Sequence, residues 1–241
     1  MPGEVCAQGT GRPAAVLMIK APRAGSVKTR LCPPLDPREA ADLAAAMARD
    51  CTELVLRVVP EVIAAFSPEE AGPELEALLP GIRHWAPQPP GDLGRRQERA
   101  LATGFGLGCA PILVLGTDSP TLPTGLIESA RRRLESGEAD LVLGPSHDGG
   151  YYLLGVRRPV SGLLDGVPWS TGEVFDAVTA NAERIGLRVL VLPAWYDVDT
   201  PSDLSRLAEE LLSDPAARER APCTLQWAVA HLDRVKEHFR T

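Results

Sequence analysis

Five short apolar runs, AAVLMIK near residues 14 to 20, EVIAAF near 61 to 66, PILVLG near 111 to 116, DLVLG near 140 to 144 and LRVLVLP near 187 to 193, are separated mostly by stretches of helical period. Short runs rich in leucine and β-branched residues read as buried strands. Strands that alternate with helices join through right-handed crossovers into a mostly parallel sheet. An α/β fold is therefore expected. YYLLGV (151–156) follows GPSHDGG with no room for a helix, so it is expected to run back as a reversed strand and make the sheet mixed.

The first helix is announced by DPREAADLAAAMARDCTELV (36–55), with Asp36 as N-cap, Pro37 at the first helical position and Glu39 completing a capping box. Ala40, Leu43, Met47, Cys51 and Leu54 recur at helical spacing and are expected to face the sheet. Further helices fit LGRRQERALATGFG (93–106), TGLIESARRRLES (124–136), STGEVFDAVTANAERIG (170–186) and TPSDLSRLAEELLS (200–213), the last capped by Thr200 with Asp203 in its first turn. Beyond Ala216, Leu225, Val229, Leu232, Val235 and Phe239 fall near helical period. That stripe would lie either on the body of the domain or on a second copy in a homodimer.

At 241 residues the chain suits one large domain. No apolar run approaches the length of a membrane span. The opening MPGEVCAQGTGRP has neither a basic nor a hydrophobic segment, which leads us to expect a flexible tail and a cytoplasmic protein without membrane partners. Cys6, Cys32, Cys51, Cys109 and Cys223 are scattered and never spaced CxxC, as suits reduced thiols rather than disulfides or zinc. A net charge of −7 argues against a nucleic-acid polymer as partner, since phosphate backbones demand a basic face. A small phosphorylated substrate needs only a few local cations.

Four polar segments follow strands, at the edge where open α/β sheets bind ligands. KAPRAGSVKTRL (20–31) joins Lys20, Arg23, Lys28 and Arg30 to Gly25, where the backbone can approach an anion and the cations can meet phosphate oxygens. The spacing is not that of a Walker loop, and a solvated basic turn is the plain alternative. GTDSP (116–120) puts Asp118 just past a strand, either as half a site for a hard divalent cation or as a helix cap. YDVDTPSDL (196–204) offers Asp199, with Asp197 as second choice, to share that cation, while Asp203 reads as a helix-start residue.

GPSHDGGYYLLG (144–155) sets Asp148 before Gly149, Gly150 and Tyr151, a turn that would aim the acid at substrate hydroxyls. His147 beside it is a general base or merely exposed. QPPGDLGRRQERAL (88–101) opens a helix with Gly91, Asp92, Gly94 and Arg96, whose amides and charge would meet a nucleotide. GVPWSTGEVF (166–175) places Trp169 beside Ser170 and Thr171 as an acceptor wall, with a core Trp as the rival reading.

IKAPRAGSVKTRL, GDLGRR, LGTDSPTLP, LGPSHDGGYYLLG, VPWST and YDVDTPSDL, in this order, closely resemble a bacterial GT-A-like family of the nucleotide-diphospho-sugar transferase superfamily. Its members are often labelled radical-SAM- or selenodomain-associated glycosyltransferases. The resemblance covers about residues 14 to 210. It implies a Rossmann-like GT-A fold over residues 14–212, with a nucleotide-binding front half and an acceptor-binding back half, between a tail (1–13) and a C-terminal helical extension (213–241). It also implies that Asp118 and Asp199 bind Mg²⁺ or Mn²⁺ and that Lys28 and Arg30 contact phosphate. Asp118, Asp148 and Lys28 are then the catalytic candidates.

Many GT-A glycosyltransferases carry Asp-x-Asp where this chain has one acid. That difference and the basic loop favour nucleotidyl transfer from an NTP to a phosphorylated acceptor, whereas the family label favours glycosyl transfer from an NDP-sugar to a small acceptor. A nucleotide-binding module without turnover is the third reading.

Overall fold

The computed structural model describes residues 11–238, with side chains to 231. Its strands are β1 (Arg12–Lys20), β2 (Glu61–Ser67), β3 (His84–Pro87), β4 (Cys109–Leu115), β5 (Leu141–Pro145), β6 (Tyr151–Val156) and β7 (Val189–Val191). They form one sheet in the order β3-β2-β1-β4-β6-β5-β7. β6 is antiparallel to both neighbours and every other pair is parallel, so the reversed strand and the mixed sheet are as expected.

The helices are α1 (Pro37–Leu56), α2 (Gly72–Leu78), α3 (Leu93–Gly106), α4 (Thr124–Glu135), α5 (Val174–Arg184), α6 (Pro201–Ser213), α7 (Pro215–Arg220) and α8 (Pro222–His238). Both capping boxes form, Asp36 with Glu39 on α1 and Thr200 with Asp203 on α6. Among the described residues no helix is long and apolar enough to cross a membrane.

Successive side chains of a strand point to opposite faces, and this period divides the core. Ala15, Leu17 and Ile19 of β1 join Leu54, Leu75 and Ile127 on one face. Ala14 and Val16 join Ala100, Val174 and Val178 on the other. A central sheet covered on both faces results. The chain passes from β1 outward to β2 and β3, then returns to the other side of β1 as β4. The topological switch point thus lies between the carboxyl ends of β1 and β4.

Some elements depart from the expectations. β1 starts at Arg12, inside the span 1–13 expected as a tail, and residues 1–10, with Cys6, lie outside the described residues. The inner face of α1 is divided. Leu54 packs on the sheet, but Ala40, Leu43 and Met47 pack with Tyr196, Val198, Leu204 and Trp227, because the C-terminal helices cover that half of α1.

α8 lies on the body of the domain with Leu225 of the expected stripe packed against it, but Val229 of that stripe turned away. Thr224, Trp227 and Ala228 are buried, while Val229 is 67% exposed. Asp50 of α1 sets this rotation: its carboxylate, 1% exposed, accepts the Cys223 and Thr224 amides at 3.0 and 2.7 Å and so caps α8 from another helix. The side chains of Leu232, Val235 and Phe239 lie outside those described.

Candidate active site

The β1 loop ends in a single 3-10 turn (Thr29–Leu31). Gly25 turns the chain with φ +76, and Lys28 is left-handed at φ 49, ψ 34. A residue with a β-carbon is held in that region only when its surroundings impose it. Here the surroundings are explicit. The Lys28 ammonium donates to Asp118 Oδ1 at 2.5 Å, to the Val198 carbonyl at 2.7 Å and to Asp199 Oδ1 at 2.8 Å.

Burial works against that charge, but Asp118 and then Asp199 outweigh it and hold the lysine pKa above its ordinary value. Two backbone ties bring the acids together. The Val198 amide donates to the Asp118 carbonyl at 2.9 Å, and Ser119 Oγ donates to the Tyr196 carbonyl at 2.8 Å. Asp203 accepts the Asp199 and Thr200 amides, which fixes Asp199 just ahead of α6.

Lys20, Lys28, Arg30, Asp118 and Asp199 line one cleft of ≈ 280 Å³ at the switch point, together with Ser26, Thr29 and Thr117. Arg23 is elsewhere engaged: it donates to Glu70 and Glu74, both at 2.9 Å. Behind Asp118 a smaller cavity of ≈ 80 Å³ is lined by Cys51, Ser146, Tyr151 and Asp197. Burial, followed by the charges of Asp148, Asp199 and Asp118, pushes the Asp197 carboxyl up to about 6. Four carboxylates therefore share this corner.

The residues after β5 form a tight turn. Ser146 Oγ and the Gly150 amide donate to Asp148 Oδ1, and the exposed Asp148 faces the acid cluster. Gly149 has φ +87, and a β-carbon there would run into the Gly172 carbonyl, so this turn interlocks with the loop carrying Ser170 and Thr171. Ser170 has φ 66, and Thr171 Oγ1 donates to the Pro168 carbonyl at 2.7 Å. His147 Nδ1 is 2.9 Å from Arg206 Nη1, whose guanidinium lies over the Tyr196 ring. The Tyr151 hydroxyl is spent on Gln97 Oε1 at 2.6 Å.

The start of α3, expected to meet a nucleotide, has structural contacts of its own. Asp92 is an N-cap, accepting the Arg95 amide at 2.9 Å. Gly94 is a packing residue, because a β-carbon there would stand 2.8 Å from Trp169 Cζ2. Gly91, Asp92, Gly94 and Arg96 do not line the cleft. Arg96 Nε is buried with no hydrogen-bond partner among the described residues. Trp169 packs against the core on the α3 side of the sheet.

The sequence reading missed Ser26, Thr29, Thr117 and the Val198 carbonyl. The first three are ordinary polar residues beside the named ones, and a backbone carbonyl leaves no trace in a sequence. Two carboxylates and a carbonyl around one point are hard oxygen ligands of the kind Mg²⁺ and Mn²⁺ take. Among the described residues no three His, Cys, Asp or Glu side chains gather as a complete metal cage. A cation here would be completed by substrate oxygens.

Residues 43–171 match the family DUF2064, described as an uncharacterized protein conserved in bacteria. The chain belongs to the DUF2064 family. This segment holds Asp118, Asp148 and the Trp169–Thr171 loop, while Lys28 and Asp199 lie outside it. No curated protein sequence matches the DUF2064 chain.

Among solved structures, a candidate nucleotide-diphospho-sugar transferase from Desulfovibrio desulfuricans G20 is similar with TM-score 0.86 and 28% identity, over 95% of this chain and 98% of that one. A CMP:2-keto-3-deoxy-manno-octonic acid synthetase complexed with CTP shares the fold with TM-score 0.56 and 14% identity, over 84% and 99%. A Mycobacterium tuberculosis H37Rv protein in complex with manganese does so with TM-score 0.50 and 19% identity, over 82% and 98%. The Rossmann-like fold of the nucleotide-diphospho-sugar transferase superfamily is thus the fold of this DUF2064 chain.

Proposed function

We propose that the protein is a metal-dependent transferase acting on a nucleotide-activated substrate, and that it moves a glycosyl group from an NDP-sugar to a small acceptor. The observation that carries this is the convergence of Asp118 and Asp199 on one point, at the switch point and beside Lys20 and Arg30. Asp118 and Asp199 would hold the cation. A bound Mg²⁺ or Mn²⁺ supplies neutralisation of the charge that builds on a diphosphate leaving group.

Lys20 and Arg30 line the cleft with no carboxylate partner among the described residues, and they meet the phosphates. Asp148, fixed by Ser146 and the Gly150 amide, accepts a hydrogen bond from a hydroxyl of sugar or acceptor. As the acceptor oxygen bonds to the sugar carbon, the bond from that carbon to the diphosphate breaks, the NDP leaves and the acceptor proton passes to a neighbouring carboxylate. The similarity to the Desulfovibrio protein supports the glycosyl reading.

A specific observation favours a second reading. The basic cleft meets a single acid at position 118 rather than Asp-x-Asp, an arrangement suited to holding a triphosphate while an acceptor phosphate attacks and pyrophosphate leaves. Incubation with NDP-sugars or NTPs and Mn²⁺ separates the two. Released NDP supports glycosyl transfer, and pyrophosphate supports nucleotidyl transfer. Nucleotide binding with neither product overturns both and leaves a binding module.

A further inference from the structure

The lysine that joins the two acids occupies the place a cation needs. An ammonium has three N–H donors, and all of Lys28's are used, on Asp118, Val198 and Asp199. The side chain is 7% exposed. A divalent ion bridging the same carboxylates would draw on the same oxygens, and two cations a few ångströms apart repel in a partly buried site. Lys28 and a metal therefore exclude one another. Lys20 and Arg30 add two more cations to the cleft and have no carboxylate partner among the described residues. A displaced Lys28 ammonium would join them, and only an anion would balance the three.

We infer that Lys28 is the resident counter-ion of the Asp118–Asp199 pair, which leaves its place when a divalent cation enters and turns to the substrate's phosphates. This rests on the reading of Asp118 and Asp199 as the cation's carboxylates. Cation and phosphate then bind as a coupled pair. Each raises the affinity of the other by more than direct chelation accounts for, and by thermodynamic necessity the coupling is reciprocal. Bare cations bind weakly because they must first dislodge a satisfied ammonium. The left-handed backbone at Lys28 gives the chain a conformation to relax from when the side chain is released.

Two measurements on the full chain test this without any activity readout. Mn²⁺ alone, followed by electron paramagnetic resonance, is expected to bind Lys28→Met tighter than wild type by about tenfold or more. Lys20→Met removes the same charge from the same cleft without freeing the carboxylates, and should change the affinity far less. Equal affinities for wild type and Lys28→Met, or equal gains from the two variants, overturn the inference while leaving the cation site intact. Absence of Mn²⁺ binding in wild type and Lys28→Met alike removes the cation site itself and the inference with it.

The second measurement needs no variant. Reductive methylation of the wild-type chain, read by peptide mass spectrometry, should leave Lys28 protected without metal. It should label Lys28 several-fold faster in saturating Mn²⁺ and protect it again when pyrophosphate is added. Lys28 labelling that ignores Mn²⁺ overturns the displacement even if Lys28→Met fails to fold.

Discussion

Gly149 joins two loops of the site through an atom it lacks. Its φ of +87 suits glycine, and any β-carbon would press on the Gly172 carbonyl. Gly149→Ala should lower the unfolding free energy by about 1 to 3 kcal/mol, the range for a residue forced into such backbone. Urea unfolding of wild type and variant checks it, and equal midpoints would show that the loops do not interlock. The acids divide by their partners. Among the described residues the Asp118 carboxylate is paired with Lys28, so Asp118→Asn should cut product formation on the order of 10²-fold, the loss typical of one electrostatic group in a transition-state site. Asp92→Asn keeps an N-cap oxygen and should stay near wild type. Rates measured at saturating Mn²⁺ decide between the two, and a matching loss in both variants would return α3 to the site.

The outermost strand β7 has three residues, and the pair that fastens it lies just ahead of the strands. Arg188 donates to Asp140 through its amide at 3.2 Å, Nε at 2.8 Å and Nη2 at 3.0 Å. These bonds hold the Asp140 carboxyl below its usual range, chiefly through the Arg188 side chain. A depressed carboxylate contributes stability above its unfolded pKa of about 3.9 and loses it as pH falls through the lower folded value. Arg188 is 57% exposed, so solvent screening keeps the pair's contribution small. Asp140→Ala should lower stability slightly at pH 7, and the gap to wild type should close on acidification below about pH 4. A gap that persists undiminished at pH 2 would rule out the ion pair as its source.

Elements with strong local signals were legible. α3 spans the residues of LGRRQERALATGFG, and the caps Asp36 and Thr200 stand where their boxes placed them. β3 was not legible, because His84–Pro87 is four partly exposed residues at the sheet edge, ending in proline and without alternation. The rotation of α8 was hidden for another reason. Asp50, which caps it, stands more than 170 positions earlier in the chain. Lys28, Asp118 and Asp199 could be named because each follows a strand, yet their mutual pairing spans 90 and 171 positions and is a property of the fold alone.

The cleft is assembled from three distant stretches, the β1 loop, the end of β4 and the segment before α6, which only the folded chain brings together. A ligand that binds there binds the native state and not the unfolded chain, and so stabilises the whole molecule in proportion to the logarithm of its concentration over Kd. At 100-fold Kd the gain is about 2.7 kcal/mol. Mn²⁺ with a nucleoside diphosphate should therefore raise the melting temperature of wild type measurably, and by more than the sum of the rises each component gives alone. Asp199→Asn should unfold at a similar temperature in the absence of ligand, since Lys28 keeps Asp118 and the Val198 carbonyl, but should lose most of the ligand-induced rise. If the variant is stabilised as much as wild type, the nucleotide and metal bind somewhere other than this switch-point cleft.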